Sequence, residues 1–493
     1  MNHTKTLGVA IFLVAAGCGG ADTGPKVPPG PNTFQLVSGH GADTVGAILA
    51  SPIVVQARSG DGKPRAGATI RFSVLTETPG TPFGVRLANM NADGSATVAT
   101  QADGVASLQV TMGDKVGSFA VAVTETGVTQ ADTARFDVRA GALARVAVGT
   151  HDTMTTVGGA YEPAVSAFDR LDNPRSDKPA LSSSDAMVCR ADGAAIVGAS
   201  VGNCTVFLSL GAFRDSILLA VVPANVHLLA TVQGPIGGAL LVSLNLDGSE
   251  YKVLRILNNS GFNPFHPVKS PAAPLIAVNE YGTDIRLHIM LIDEAGNERP
   301  LGATPGNEDN WARISSDGQW IYFSSRPDPS QAFRVWRSHL DGSGATPLTP
   351  VESSFGNHSN YADVTADGRT IAYGNQGLTL RTMDLVTGQV SGIQLAISTL
   401  KADPKLPRIA VLDYSYRLSL INADATGFRY VTADSVSGML DWLPDGEWIM
   451  TRILLNLGNG FLMEGDRVLI NVNTGKRVRL TYTTKLGEIT VIR

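Results

Sequence analysis

The 493-residue sequence is poor in the residues that most enzymes and metal proteins concentrate. It has three cysteines, Cys18, Cys189 and Cys204, and eight dispersed histidines. No H-E-x-x-H, P-loop or C-x-x-C motif occurs, so zinc-protease, nucleotide-binding and dithiol chemistry have no sequence support. No cofactor or metal is implied. Charge of one sign is lacking too: 39 Lys and Arg face 44 Asp and Glu, a net of −5. No broad basic surface recommends a nucleic acid partner. Ser216 to Leu246 carries no charged residue, yet Pro223, Asn225, His227, Gly234, Pro235, Gly237 and Gly238 interrupt it. It reads as strand, linker, strand and not as a membrane helix.

What the sequence has in quantity is glycine, 53 residues, with 43 % apolar residues. Many short strands separated by glycine turns give that profile, so the expected class is all-β. The N-terminus is the exception. Lys5 precedes the apolar run Leu7–Ala16, and Gly17-Cys18 follows, the pattern of an export signal over residues 1–17. Val14-Ala15-Ala16-Gly17-Cys18 resembles a bacterial lipobox, with Ala15 where Leu is usual. The resemblance implies lipidation of Cys18; ordinary signal cleavage nearby is the other reading. Residues 18–32 follow, and Gly19 to Asn32 holds four prolines, four glycines and no large apolar side chain. Such a segment cannot pack a core and reads as a tether.

Residues 33–142 alternate in short strands. Ile70, Phe72 and Val74 share one face of Ala68–Val74, and Gly60-Asp61-Gly62-Lys63-Pro64 and Asp103-Gly104 mark turns. The succession of an apolar strand, DGxP, AGATIRFSV, ADGVASLQVTMG and GSFAVAVTE resembles the Ig-like modules of invasins and intimins. That family uses such modules as spacers. Residues 143–223 resemble a second, divergent bacterial Ig-like module, through Ser182-Ser183-Ser184-Asp185, Ala191-Asp192-Gly193 and Gly202-Asn203-Cys204-Thr205-Val206. Export places Cys189 and Cys204 in an oxidising space, and a disulfide between neighbouring strands is expected, with two buried thiols the other reading.

Residues 224–493 repeat. A hairpin recurs about every 46 residues, with turn glycines at Gly248, Gly296, Gly342, Gly388, Gly427 and Gly475. A second hairpin precedes it in WARISSDGQWIYFSS, YADVTADGRTIAYGN and LDWLPDGEWIMTR. Two hairpins per period make a four-stranded blade, and six periods make a six-bladed propeller. The rhythm W-x-x-x-PDG-x-x-I resembles TolB-type propellers. The first copy is a strand short, and Glu488–Arg493 is a strand to spare, so the C-terminus is expected to complete the first blade.

Several local motifs read as incidental. Gly198-Ala199-Ser200-Val201-Gly202 spells G-x-S-x-G without a following helix. Asn89-x-Asn91-x-Asp93-Gly94 starts like a calcium loop but has Thr100 at the twelfth position. The candidate binding face is the channel mouth formed by loops entering the innermost strands. Asn307, Glu308, Asp309, Asn310 and Trp311 echo Asn357, His358, Asn360 and Tyr361, with His266 in a looser third copy. Amides beside aromatics can hydrogen-bond and stack on a ligand, or simply cap turns and pack between blades. These observations imply a non-catalytic envelope or surface lipoprotein. It would be held by a lipid anchor only, and its partner would be a protein, peptide or glycan. A TolB-like periplasmic scaffold is the first alternative. The second is a propeller hydrolase or lyase using Glu308, Asp309, His358 and His266.

Overall fold

The computed structural model describes residues 30–75, 84–233, 239–257, 265–269, 272–284, 286–350, 361–374, 379–438, 440–456, 462–480 and 486–492. Cys18 and most of the tether lie outside them. No helix occurs among the described residues, and none is long and apolar enough to cross a membrane. The protein is all-β.

The chain divides into two compact units, Met1–Val146 with Ser166–Ser176, and Ala147–Val165 with Asp177–Arg493. In the first, Thr33–Ser38, Ile53–Arg58 and Val105–Leu108 form one sheet. Gly41–Thr44, Ala131–Arg139, Gly117–Glu125, Thr69–Leu75 and Ser95–Ala99 form the other. Alternation decides which side chains go inside: Ile70, Phe72 and Val74 are buried while Thr69, Arg71 and Leu75 are exposed. Ile53 and Val55 meet Phe72 and Phe136 across the sandwich. Asp169 accepts the amides of Gly141 (2.9 Å), Leu171 (2.8 Å) and Asn173 (3.0 Å), and Asn173 donates to the Asp114 carbonyl at 2.9 Å. Those bonds tie Ser166–Ser176 into the first unit.

In the second unit, Asp152–Thr156, Phe213–Val222, Gly202–Leu210 and Ala180–Ser183 form a four-stranded sheet. Ala160–Tyr161, Ala195–Gly198 and Cys189–Asp192 form a smaller one. A Cys189–Cys204 disulfide joins them. The cysteine strands are therefore not hydrogen-bonded neighbours but members of different sheets. Ser200, the serine of G-x-S-x-G, lies between strands and donates to the Met187 carbonyl at 2.6 Å. In the first unit, Asp93 is held by Arg71 at 3.0 Å and by Ser95, and so serves a turn.

Six four-stranded antiparallel sheets follow. Their innermost strands are Leu486–Val491, Phe265–Lys269, Glu308–Ile314, Tyr361–Val364, Ile397–Ala402 and Asp441–Trp442, in blades 1 to 6. Each innermost strand contacts the next around a closed ring. The six repeat glycines all have φ between 68° and 87°, a left-handed conformation that glycine adopts without a Cβ clash. That requirement explains their periodicity.

The C-terminal strand completes blade 1. Leu228, Leu229 and Ala230 pair with Val491, Thr490 and Ile489. Ile489 and Val491 are buried among Leu228, Val242, Leu443 and Trp448, at the contact of blades 1 and 6. The same cluster includes Ala220 and Val222 from the last strand of the second module, so this module and the propeller share a core. Arg479 on blade 6 bonds Asp152 at 2.9 Å, and Lys476 donates to the Val201 carbonyl at 2.8 Å.

Removing Glu488–Arg493 from the full chain takes away two buried side chains, each contributing about 1.5–3 kcal/mol, and leaves an unpaired sheet edge. Thermal melting should fall by on the order of 10 °C; an unchanged midpoint in a monomeric truncated protein would contradict the closure. For the disulfide, a non-reduced digest should yield the cross-linked Cys189 and Cys204 peptides by mass spectrometry. Replacing both by Ala should destabilise the chain by about 3 kcal/mol, the loop-closure value for such a separation. Two alkylated free thiols would contradict it.

Candidate functional site

The channel has two ends of different chemistry. At the end where chain enters the innermost strands stand the residues singled out by the loop repeat. Glu308 forms a 2.6 Å ion pair with Arg326, whose guanidinium lies 4.4 Å from the Phe333 ring centre. Asp309 is buried and accepts the Thr304 hydroxyl at 2.6 Å; burial pushes its carboxyl upward, against the pull of the Ser325 and Thr304 hydroxyls. Asn307 donates to the Ser325 hydroxyl at 2.9 Å. Asn310 is buried, and its Oδ1 meets no donor among the described residues.

Trp311 and Tyr361 do come together, edge to face with ring centres 5.0 Å apart. Trp311 has φ +57°, an uncommon conformation for a non-glycine residue, within the bulge between Asn310 and Arg313. Burial raises the Tyr361 phenol, and Tyr414 adds to the shift. Asn357, His358 and Asn360 lie outside the described residues. His266 belongs to the strand Phe265–Lys269, and its side chain is outside the description. This end therefore holds an aromatic pair, while Glu308 and Asp309 are engaged with neighbours.

The opposite end, where chain leaves the innermost strands, holds a cavity of about 250 Å³. Val268, Arg313, Asp363, Lys401, Asp441 and Thr490 line it, one from each blade. Each pairs with the third residue of the second strand of its blade: Ala277, Arg313's partner Tyr322, Ala372, Ala410, Met450 and Leu229. They form one ring at one register.

The two ring carboxylates join successive blades. Asp363 accepts the amides of Val364 (2.9 Å) and, from blade 5, Ala402 (3.0 Å). Asp441 accepts the amides of Trp442 (3.1 Å) and, from the closing strand, Val491 (2.7 Å). Lys401 approaches Asp441 to 3.6 Å. Asp403, fully buried, accepts the Lys405 amide at 2.8 Å and the Arg408 Nε at 2.6 Å. Each carboxylate thus answers backbone N–H groups that a propeller interior would otherwise strand without partners.

Reasoning from loops missed this ring. The signal was present: ARISSDG, ADVTADG and LDWLPDG each place a charge one residue before the apolar residue that precedes the turn, inside an otherwise apolar strand. A charge recurring at one inward register of a repeat, buried at Asp363 and Asp441 and half-buried at Arg313, is unusual enough to mark a channel lining.

No protein-family model matches the sequence, and no curated protein matches it. Among solved structures, TolB from Acinetobacter baumannii is 16 % identical with a TM-score of 0.43, covering 59 % of this chain and 80 % of its own. The putative TolB from Agrobacterium tumefaciens is 12 % identical, TM-score 0.39, covering 52 % and 90 %. An oligogalacturonate lyase from Vibrio parahaemolyticus is 13 % identical, TM-score 0.35, covering 52 % and 72 %. Such distant likenesses, to enzymes and other proteins alike, carry no argument about function; the six-bladed fold stands on the strand pairing itself.

Proposed function

We propose that this is a non-catalytic binding lipoprotein of the cell envelope, exported and anchored through Cys18. In chain order the Ig-like modules separate the anchor from the propeller, which presents its channel to a partner. The observation that supports binding is the cavity whose six-residue ring holds the charged Arg313, Asp363, Lys401 and Asp441, concave and open to solvent at one end of the channel. Polar groups converging in a cavity are what a recognition site needs, and here the carboxylates are committed to backbone amides and cations. Against the hydrolase or lyase reading stands the engagement of its two acids: Glu308 is paired with Arg326, and Asp309 accepts the Thr304 hydroxyl.

The anchor is tested by Cys18→Ser, which should release the protein from membranes; an uncleaved protein still in the membrane fraction would contradict it. The binding site is tested by a photo-reactive amino acid at position 316, on the cavity rim, against one at position 386, on an exposed turn. Ultraviolet light on intact cells should give a discrete mass adduct at 316 and none at 386. Equal adducts at both, or none at 316, would overturn the channel as the binding locus.

A further inference from the structure

We propose that the outer edge of blade 1 binds an extended, apolar polypeptide segment of a partner protein, which pairs with that edge as a fifth strand and lays side chains in the cavity beside it. A sheet edge carries backbone N–H and C=O groups without a strand partner, and proteins blunt such edges with short strands, proline, charge or a cover. Five of the six blades do so. The outer strand of blade 2, Glu298–Pro300, has three residues and ends in proline, and that of blade 3, Thr346–Pro347, has two. Blade 4 ends on the four residues Val390–Ile393, weakened by Gly392. Blade 5 ends on Arg429–Ser435, mostly polar, where Asp434 bonds Arg477 of blade 6 at 2.9 Å. The outer strand of blade 6, Arg477–Leu480, is tied to the second module through Arg479 and Asp152.

Blade 1 differs. Its outer strand, Lys252–Leu257, has six residues, and among the described residues it pairs with Ala239–Asn245 on one side and with no strand on the other. Val253, Leu254 and Ile256 are exposed along it, Ile256 by 67 %, and Tyr251 is exposed just before it. Leu241 pairs with Arg255 and Val242 with Val253, which leaves Leu254 as a bulge, and Leu254 lines the neighbouring cavity.

That cavity, of about 510 Å³, lies between blades 1 and 2. Leu241, Val253 and Leu254 line it from blade 1, and Ile276 and Ile292 from blade 2. Its charged residues are equal in number, Lys252, Arg255 and Lys269 with Asp293, Glu294 and Glu298, and Arg255 pairs with Glu298. The lining therefore selects apolar side chains and not a charge. In an added strand, main-chain bonds supply affinity while alternate side chains enter the pocket. A second copy is disfavoured by size: a stable dimer places about 20–30 residues a side in contact, and this edge has six. The chain's own tether has four prolines, which lack the N–H groups of a strand partner. This cavity and the channel cavity share Lys269 alone, and the edge site stands whether or not the channel binds.

The probe is a peptide of alternating threonine and valine, as long as the edge, with a photo-reactive amino acid at its centre, added to the full mature chain. It should bind with a Kd on the order of 100 µM, unchanged within about twofold between roughly 20 mM and roughly 300 mM salt. Ultraviolet adducts should map to residues 251–257 or 293–298. The same peptide N-methylated at alternate residues keeps its side chains but loses strand pairing, and it should bind at least about tenfold more weakly. This arm needs no change in the protein. Ile256→Lys should weaken the unmethylated peptide by at least about tenfold, and Val386→Lys, on an exposed turn of blade 4, should leave it unchanged. Adducts confined to the channel lining or to another blade, equal binding of the N-methylated peptide, or no binding at about 1 mM would each overturn the edge site. Sedimentation as a dimer that Ile256→Lys dissolves would overturn it too, because the occupant would then be a second copy. If the peptide fails while the adduct at position 316 persists, the edge site falls and the channel reading stands; the reverse pair of results overturns the channel and keeps the edge.

Discussion

The pairing of Leu486–Val491 with His227–Gln233 joins two segments some 260 residues apart in the chain, and the ring depends on it. Without that strand, blade 1 has three strands and its inner edge faces the channel unpaired. With it, Ile489 and Val491 fill the contact between blades 1 and 6, and Thr490 takes its place in the channel lining. Asp441 holds the strand from the other side through the Val491 amide. One short segment therefore completes a sheet, seals a blade contact and supplies part of the candidate site. The second Ig-like module covers the same seam, since Ala220 and Val222 share its core.

The charges in the channel follow from the same constraint. A ring of inner strands presents backbone N–H groups that cannot all find partners within their own blades, and a carboxylate reaching across to the next blade resolves this. Asp363 does so for Ala402, and Asp441 for Val491. Buried carboxylates need cations near them, because the cost of an uncompensated charge exceeds the gain from two hydrogen bonds. Lys401 and Arg408 meet that need directly.

The blade count and the strand exchange were legible in the sequence because they rest on local rules. Six glycines must adopt positive φ, and an apolar strand stood unused at one end of the repeat. The sandwich strands were legible for a similar reason, as the alternation of Ile70, Phe72 and Val74 shows. The site was less so. Loops entering the inner strands drew attention by their Asn and aromatic residues, and Trp311 and Tyr361 do meet there. Yet Glu308 found Arg326, and Asp309 found Thr304, partners distant enough in the hairpin that composition alone does not reveal them. The cavity at the other end is assembled from six blades, each of which places one residue in its ring. Its members are scattered from Val268 to Thr490, and only the closed ring brings them together. The grouping of Ser166–Ser176 with the first unit was equally hidden, since it depends on the carboxylate of Asp169 collecting amides from a separate strand.

Native-state hydrogen exchange at the closing strand tests the account most directly. If Leu486–Val491 is an integral inner strand, the Val491 amide, bonded to a carboxylate that is 3 % exposed, exchanges only when the propeller unfolds globally. Its protection should match that of the Leu420 amide in the middle of blade 5, and Asp441→Ala should abolish the match. Exchange at Val491 as fast as at a frayed terminus, with Leu420 still protected, would show that the ring closes without this strand.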